Sequence, residues 1–373
     1  RIMPVNLYKG ENHNIEKRIG LDENLYNNPG LWVKTAIFNQ KSLNDKSDLK
    51  RFLSILQSAE VKEEDFEKLL EYLDLETWAR YASFLILSKS YQADHLHNVR
   101  IAIDPWSGYV IPILQDPHPV NIDQKIYTLE YSKDDLLALL NRSSIFIDKK
   151  YEKLFHYTIN NRVLNDEVNY LKTLRDNLEI SGKRDAQINI RKILSDLDVY
   201  KKELIKMEKH VKNKLFSKPI SSWHQQEKKI NIFIDGEIPA SDIKFTFRNK
   251  APEWIGLDTN YSGAIEDNEI KFFSNGKKEI VIPGKFYSNR ISLNNRKVEM
   301  HVSSSISTAN TKFNLILQEN ISPINISVKN PFSGEVYQVD NKNIKGVHAN
   351  KFNKIIFNKN ENKEIVFSNE DSF

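Results

Sequence analysis

The sequence contains no cysteine, which excludes disulfide bonds, thiol nucleophiles and zinc sites built on sulfur. It has only 12 glycines, and nowhere do they form a glycine-rich phosphate loop. The formal net charge is only +4, so we expect no nucleic-acid partner. No apolar run approaches the ~18 residues that a membrane-spanning helix needs, so we expect no such segment in this chain.

The composition nevertheless supports folded domains. Apolar residues make up 40% of the 373 residues and aromatic residues 10%, which is enough for hydrophobic cores in two or three domains. The chain begins at Arg1, and its first residues lack the charged-then-apolar pattern of a signal peptide. We therefore expect the sequence to be a fragment of a longer protein.

The first part of the chain passes from irregular sequence to helical periodicity. Residues 1–40 show no clear period, and "LYKGEN" (7–12) and "NNPG" (27–30) predict turns. Three successive segments from Ser47 onward predict helices. The third, "LETWARYASFLILSKS", carries an apolar stripe that predicts a buried scaffold helix: Trp78, Tyr81, Ala82, Leu85 and Ile86.

A polar stretch follows this helix: "QADHLHNVRIAIDPWSGYVIPILQDPHP", residues 92–119. Within it, "VRIAID" and "YVIPIL" predict two strands joined by a turn at "PWSG". The acidic and histidine residues stand mainly where this β-hairpin begins and ends. We expect the two ends of the hairpin to lie close together.

The period changes from helical to alternating after about residue 217. Segments such as "IFIDGEI" and "KVEMHVSSSI" alternate apolar and polar residues, and Asn275-Gly276 between strand-like runs predicts a hairpin. We therefore predict an α+β multidomain chain. It would have a mainly helical domain at 1–216 that contains the β-hairpin, a linker at 217–228, and an antiparallel, β-sandwich-like region at 229–373, formed as one domain or two small subdomains.

The polar stretch offers two alternative ligand sets. Asp94, Asn98 and Asp116 supply two carboxylates and an amide oxygen, which suit Mg²⁺ or Mn²⁺ when phosphates complete the coordination. The alternative is a zinc hydrolase that uses His95 and His97, with Asp116 or His118 as further ligands.

The order of Asp, Asn, hairpin and Asp is that of the catalytic segments of protein kinases. In those segments an Asp accepts the proton of the acceptor hydroxyl, an Asn holds a metal ion, and a later Asp bridges metal and phosphates. This set is needed because the charge on the transferring group must be neutralised while the nucleophile is held in line. Asp and Asn are common in loops, so the order alone does not decide between these interpretations.

The surrounding residues resemble the CotH kinase family, atypical kinases similar to spore coat protein H. Residues 73–116, "LDLETWARYASFLILSKSYQADHLHNVRIAIDPWSGYVIPILQD", are similar to the family core: a helix with an "lD-x-x" start, an Asp shortly before an Asn, a "dp-x-sG" turn, and an "iP-W-D-l-D" ending. "NLYKGEN" is similar to the family's "LYK" segment. The resemblance covers about residues 6–123 and does not include the β-rich region.

The resemblance implies a kinase-like large lobe, here truncated before that lobe begins. Such a protein transfers the ATP γ-phosphoryl group, with Mg²⁺ or Mn²⁺, to Ser or Thr of bacterial cell-surface or spore-coat proteins. Asp94 would be the catalytic aspartate, Asn98 and Asp116 the metal ligands, and His97 a residue that orients the loop. We expect an extracytoplasmic or cell-surface location on the same ground.

Two departures keep a non-catalytic interpretation open. Alignment on the family's "iP" puts Leu114 at the first carboxylate of the ending and Asp116 at the second. The small lobe that covers the phosphates would precede Arg1, and Lys9 is as compatible with an exposed turn as with phosphate binding. The alternative is a surface or envelope assembly protein with a degenerate kinase-like lobe and a β domain that binds a partner or glycan.

Overall fold

The chain has an α+β fold whose contacts divide it into two units, Arg1–Leu215 and Phe216–Phe373. The computed structural model describes residues 5–11, 24–36, 42–60, 62–90, 97–114, 129, 132, 134–159, 162–182, 189–235, 238–259, 262–287, 291–292 and 312–341.

The described residues of the first unit form seven α-helices. They are α1 (Ser47–Ala59), α2 (Glu63–Glu71), α3 (Leu75–Ser88), α4 (Asp135–Leu140), α5 (Ser144–Thr158), α6 (Arg162–Gly182) and α7 (Ile190–Leu215). The helix α3 begins where the Asp74 carboxylate accepts a hydrogen bond from the Thr77 N–H at 3.1 Å, which satisfies an orphan donor of the first turn. None of the described helices is both long and apolar enough to cross a membrane.

A four-stranded antiparallel sheet accompanies these helices. Its strands are β1 (Asn6–Gly10), β2 (Trp32–Ala36), β3 (Val99–Ile103) and β4 (Val110–Pro112), in the order β2-β1-β3-β4. The predicted hairpin is therefore present as β3 and β4. The prediction of a turn at 7–12 is wrong, because Leu7 to Gly10 belong to β1, which pairs with β3 along its whole length.

The core of the first unit lies between this sheet and the first helices. The predicted stripe on α3 is confirmed as core, since Trp78, Ala82, Leu85 and Ile86 are all buried and Tyr81 is half-buried. Burial removes the phenol of Tyr81 from water and raises its pKa above the ordinary value.

The described residues of the second unit form two sheets. The strands are β5 (Ile220–Gln226), β6 (Lys229–Asp235), β7 (Ala240–Thr246), β8 (Trp254–Asp258), β9 (Ile270–Phe273), β10 (Glu279–Phe286), β11 (Ile291–Ser292), β12 (Lys312–Leu317), β13 (Asn325–Lys329), β14 (Val336–Gln338) and β15 (Asp340–Asn341). One sheet has the order β11-β10-β7-β13-β14 and the other β15-β5-β6-β12-β8-β9. Between these described strands, every pairing is antiparallel except that of β15 with β5.

Two local predictions in the second unit are wrong. The proposed linker at 217–228 contains β5, which pairs with β6 from Ile220 to Gln226. The Asn275-Gly276 pair forms a turn, but it joins β9 to β10, and these strands lie in different sheets. Side chains from both sheets, such as Ile232 and Phe245, share one hydrophobic core.

Candidate functional site

The two strands of the hairpin leave the four-stranded sheet at the same end. Ile101 of β3 pairs with Pro112 of β4, and just beyond this pair the Ile113 N–H donates to the Arg100 carbonyl at 2.9 Å. Asn98 stands two residues before Arg100 and so lies where the chain leaves β4. Within residues 97–114, the prediction that the ends of the hairpin lie close together is confirmed.

Asn98 enters β3 with a left-handed backbone, φ +59°. Among residues other than glycine, asparagine adopts this conformation most readily, because its short polar side chain tolerates it. The side chain is half-buried. Its amide oxygen is the kind of hard donor that Mg²⁺ and Mn²⁺ accept.

Most of the other residues in the two predicted ligand sets lie outside the part of the chain that the structure describes. Asp94 and Asp116 lie outside the described residues, as do His95 and His118. The described part of the chain therefore contains Asn98 from the first set and His97 from the zinc set. Among the residues that the structure describes, no three His, Asp or Glu side chains are grouped so that they could hold a metal ion.

The helix α3 holds the hairpin from its buried side. The Trp78 indole Nε1–H donates to the Val110 carbonyl at 2.9 Å, and the Val110 N–H donates to the Tyr72 carbonyl at 2.8 Å. The indole is almost fully buried, so the first bond is shielded from water. These bonds tie the start of β4 to the segment that leads into α3, and the helix thereby becomes a scaffold for the hairpin.

Two cationic side chains lie on the outer face of the sheet near Asn98. Lys9 of β1 stands directly opposite Arg100 of β3, and opposed residues project to the same face. The neighbouring Tyr8 is buried in the core, so by alternation Lys9 and Arg100 face the other way. Arg100 Nε is buried and has no hydrogen-bond partner among the described residues.

Sequence reasoning missed Arg100 and left Lys9 undecided. Lys9 is in a strand, and its ammonium group contacts the Glu11 carboxylate. The register that pairs Gly10 with Val99 brings Glu11 beside Asn98. A charged residue inside the otherwise apolar run "VRIAI" is the signal that could have identified Arg100.

The turn end of the hairpin is built differently. The Asp104 carboxylate accepts hydrogen bonds from the Ser107 hydroxyl at 2.7 Å and the Trp106 N–H at 3.0 Å. These bonds stabilise the ionised form and lower the pKa of Asp104. Asp104 therefore stabilises the turn.

A cleft of about 620 Å³ with a mixed polar and apolar lining adjoins this turn, and some of its polar side chains form hydrogen bonds. Asp48 accepts from the Asn6 amide at 2.8 Å and the Tyr8 hydroxyl at 2.5 Å, and Arg51 donates to the Tyr72 hydroxyl at 2.6 Å. Burial, followed by the bond to Asp48, raises the pKa of Tyr8 above its ordinary value. We interpret these contacts as a structural network.

No protein-family model matches the sequence, and no curated protein matches it at a significant level. The functional assignment therefore depends on the motif resemblance and on the geometry described above.

Proposed function

We propose that residues 1–215 form the large lobe of a CotH-like atypical protein kinase. The lobe would help to transfer the ATP γ-phosphoryl group to Ser or Thr of a bacterial cell-surface or spore-coat protein. For the second unit we propose a β-sandwich. We propose that the protein lies outside the cytoplasm, where this unit would contact the same protein substrate.

One observation carries this proposal: the end of the sheet where Asn98 lies. Lys9 and Arg100 project from adjacent strands on the outer face beside it, and the chain leaves β4 toward Asp116 at the same end. Phosphoryl transfer requires cations around the phosphates, because negative charge spreads over the transferring group. Arg100, together with Lys9, whose ammonium also contacts Glu11, would supply positive charge beside the amide that the resemblance assigns to the metal.

The resemblance assigns the roles. Asp94 would accept the proton of the acceptor hydroxyl while the hydroxyl oxygen forms a bond to the γ-phosphorus. The bond between the γ-phosphorus and the β–γ bridging oxygen would break, and ADP would leave. Asn98 and Asp116 would hold Mg²⁺ or Mn²⁺, which neutralises the phosphates when bound. Lys9 and Arg100 would bind phosphate oxygens, which the planar guanidinium can do with two parallel hydrogen bonds.

Labelled-phosphate transfer from ATP with Mn²⁺ tests the proposal. We expect incorporation into a Ser/Thr-rich acceptor protein to fall by about 10²-fold or more in D94A and in D116A. The D176A variant removes an exposed carboxylate on α6 and should keep the wild-type rate. Equal incorporation by all four proteins would refute the assignment.

A second candidate is a non-catalytic surface or envelope assembly protein. It is favoured by Leu114, an exposed apolar side chain at the position where the family has its first carboxylate. In this case the second unit would bind a protein partner or a glycan. Calorimetry with Mn²⁺ and ATP separates the candidates, since one-to-one binding that D116A abolishes would contradict the non-catalytic protein.

A further inference from the structure

The six-stranded sheet of the second unit carries a row of three buried polar side chains. Asn314 of β12 stands directly opposite Asp258 of β8 on one side and Asn231 of β6 on the other. Opposed residues in neighbouring strands project to the same face with Cβ atoms about 5 Å apart. The next residues along, such as Leu257 and Leu315, belong to the core between the sheets, so the row lies on the opposite face.

This row is shielded from water although it faces away from the core. Asp258 is 0% exposed, Asn314 2% and Asn231 6%. Part of the cover is the chain that follows β8, because Ile265 packs directly over Gly256 on the same face as Asp258. Glu269 stabilises this connection between β8 and β9. Its carboxylate accepts hydrogen bonds from the Thr259 hydroxyl at 2.8 Å and from the Glu266 N–H at 3.0 Å.

Each member of the row leaves one oxygen unsatisfied. The Oδ1 atoms of Asp258, Asn314 and Asn231 are buried, and none has a hydrogen-bond partner among the described residues. Asp258 Oδ2 accepts one hydrogen bond, from the Gly263 N–H at 3.0 Å, although the carboxylate is fully buried. No lysine or arginine of the described chain forms an ion pair with Asp258.

A buried carboxylate without a counter-charge is costly, and buried charges in proteins are paired or coordinate metals. The pairing of the strands places these three side chains side by side on one face, and their unpartnered oxygens, one of them from a carboxylate, can accept a cation. Carboxylate and amide oxygens together are hard ligands of the kind that Ca²⁺ takes, with water or backbone carbonyls completing its six to eight positions. Mg²⁺ fits less well, since it demands strict octahedral geometry and keeps most of its water.

We propose that Asp258, Asn314 and Asn231 form a Ca²⁺ site in the second unit. One carboxylate with two neutral oxygens predicts weak binding, with a dissociation constant of roughly 10⁻⁴–10⁻³ M. Bound Ca²⁺ would join three strands and stabilise the sheet. The site is separate from the proposed phosphoryl-transfer residues.

Calcium alone, added to the full chain, tests the site by calorimetric titration and thermal unfolding. We expect one Ca²⁺ to bind and to raise the unfolding temperature of wild type, whereas equimolar Mg²⁺ should have little effect. D258N should lose the response to Ca²⁺ but be at least as stable as wild type without it, because the buried charge is gone. D267N, which removes an exposed carboxylate from the same connection, should respond as wild type does.

The variant N314D covers the case in which D258N fails to fold. A second carboxylate in the row should lower the unfolding temperature without Ca²⁺ and enlarge the shift on its addition. A D94N/D116N double variant should keep the full response, which separates this site from the proposed kinase site. An unchanged unfolding temperature with Ca²⁺, equal responses to Ca²⁺ and Mg²⁺, or an unchanged response in D258N would each overturn the proposal.

Discussion

Asn98 combines a backbone requirement with a side chain suited to metal binding. Its φ of +59° alone would select asparagine or glycine at the entry to β3. The backbone conformation alone can therefore account for an asparagine at this position, whether or not its side chain binds a metal ion. The two roles can be separated, because glycine meets the backbone requirement and removes the amide.

We expect N98G to fold with nearly wild-type stability and to lose binding of Mn²⁺ and ATP. N98V should lower the free energy of unfolding by about 1–2 kcal/mol, since a β-branched residue is strained at positive φ. Urea unfolding and calorimetric titration with Mn²⁺ and ATP measure the two effects. Undiminished nucleotide binding by N98G would limit Asn98 to its backbone role.

Gly256 is a second residue whose identity follows from its surroundings. A Cβ built at this position would lie 2.4 Å from Ile265 Cγ1, far closer than van der Waals contact. The strand and the connection that covers it can approach each other because no side chain intervenes.

We expect G256A to lower the free energy of unfolding by about 1–3 kcal/mol through overpacking. In the G256A/I265A double variant the added methyl group occupies space that Ile265 has left. The double variant should therefore be more stable than the sum of the two single changes implies, which a double-mutant cycle by urea unfolding measures. Simple additivity would argue against direct contact.

At the scale of elements, the position of the hairpin depends on α3. The Trp78 indole donates to the Val110 carbonyl at 2.9 Å from a buried position. We expect W78F to lower the free energy of unfolding by about 1–3 kcal/mol, because the change leaves a buried carbonyl unsatisfied and loses packing. W106F is the matched control, since Trp106 is 68% exposed in the turn and its change should be nearly neutral. A lower unfolding temperature for W106F than for W78F would contradict this prediction.

A buried ion pair joins α7 to the end of α3. The Lys89 ammonium donates to the Glu203 carboxylate at 2.7 Å, and this bond lowers the pKa of Glu203 below its ordinary value of 4.5. A lowered folded-state pKa contributes stability above the unfolded-state pKa, and that contribution is lost as the pH falls through the folded-state pKa.

We expect E203Q to lower the free energy of unfolding by about 1–3 kcal/mol at neutral pH, because the buried ammonium loses its charged partner. The gap between wild type and E203Q should stay constant down to about pH 5 and narrow as the pH falls below 4.5. D196N, at an exposed position on α7, should show no such gap. Urea unfolding from pH 3 to 7 measures these curves, and a gap independent of pH would exclude the ion pair as its source.

Local periodicity was sufficient to predict the three helices from Ser47 onward and the hairpin, because the contacts within them are close in the sequence. The strand β1 was missed because both of its partners, β2 and β3, are distant in the sequence, β3 by about ninety residues, and "NLYKG" has no strand pattern of its own. At Asn275-Gly276 both residues have positive φ, as predicted for a tight turn. The assignment of β9 and β10 to different sheets depends on packing, which the local sequence does not encode.

Of the candidate site, only the position of Asn98 can be compared with the prediction, since Asp94 and Asp116 lie outside the described residues. Asn98 was identified from a motif whose spacing is local, and the structure places it at the end of the hairpin as expected. Arg100 was not identified as a candidate, because its position opposite Lys9 depends on the long-range pairing of β1 with β3. The buried row at Asn314 was invisible for the same reason, because its three members come from strands far apart in the sequence.

At the scale of the whole molecule, the described residues form two hydrophobic cores, one in each unit. Phe146 is fully buried in the first unit within a core shared by the helices and the four-stranded sheet. Phe245 is fully buried in the second unit between the two sheets. Each core draws its residues from one unit, so a cavity in one core removes contacts only there.

We therefore expect F146A and F245A to affect different unfolding transitions of the full chain. Each should cost about 3–5 kcal/mol, which for units of this size corresponds to a fall on the order of 10 °C in unfolding temperature. Calorimetry should show F146A lowering one transition and F245A lowering the other. A Ca²⁺-induced shift should appear only in the transition that F245A lowers, since the proposed site lies in that unit. A single transition lowered equally by both changes would mean that the two cores unfold as one.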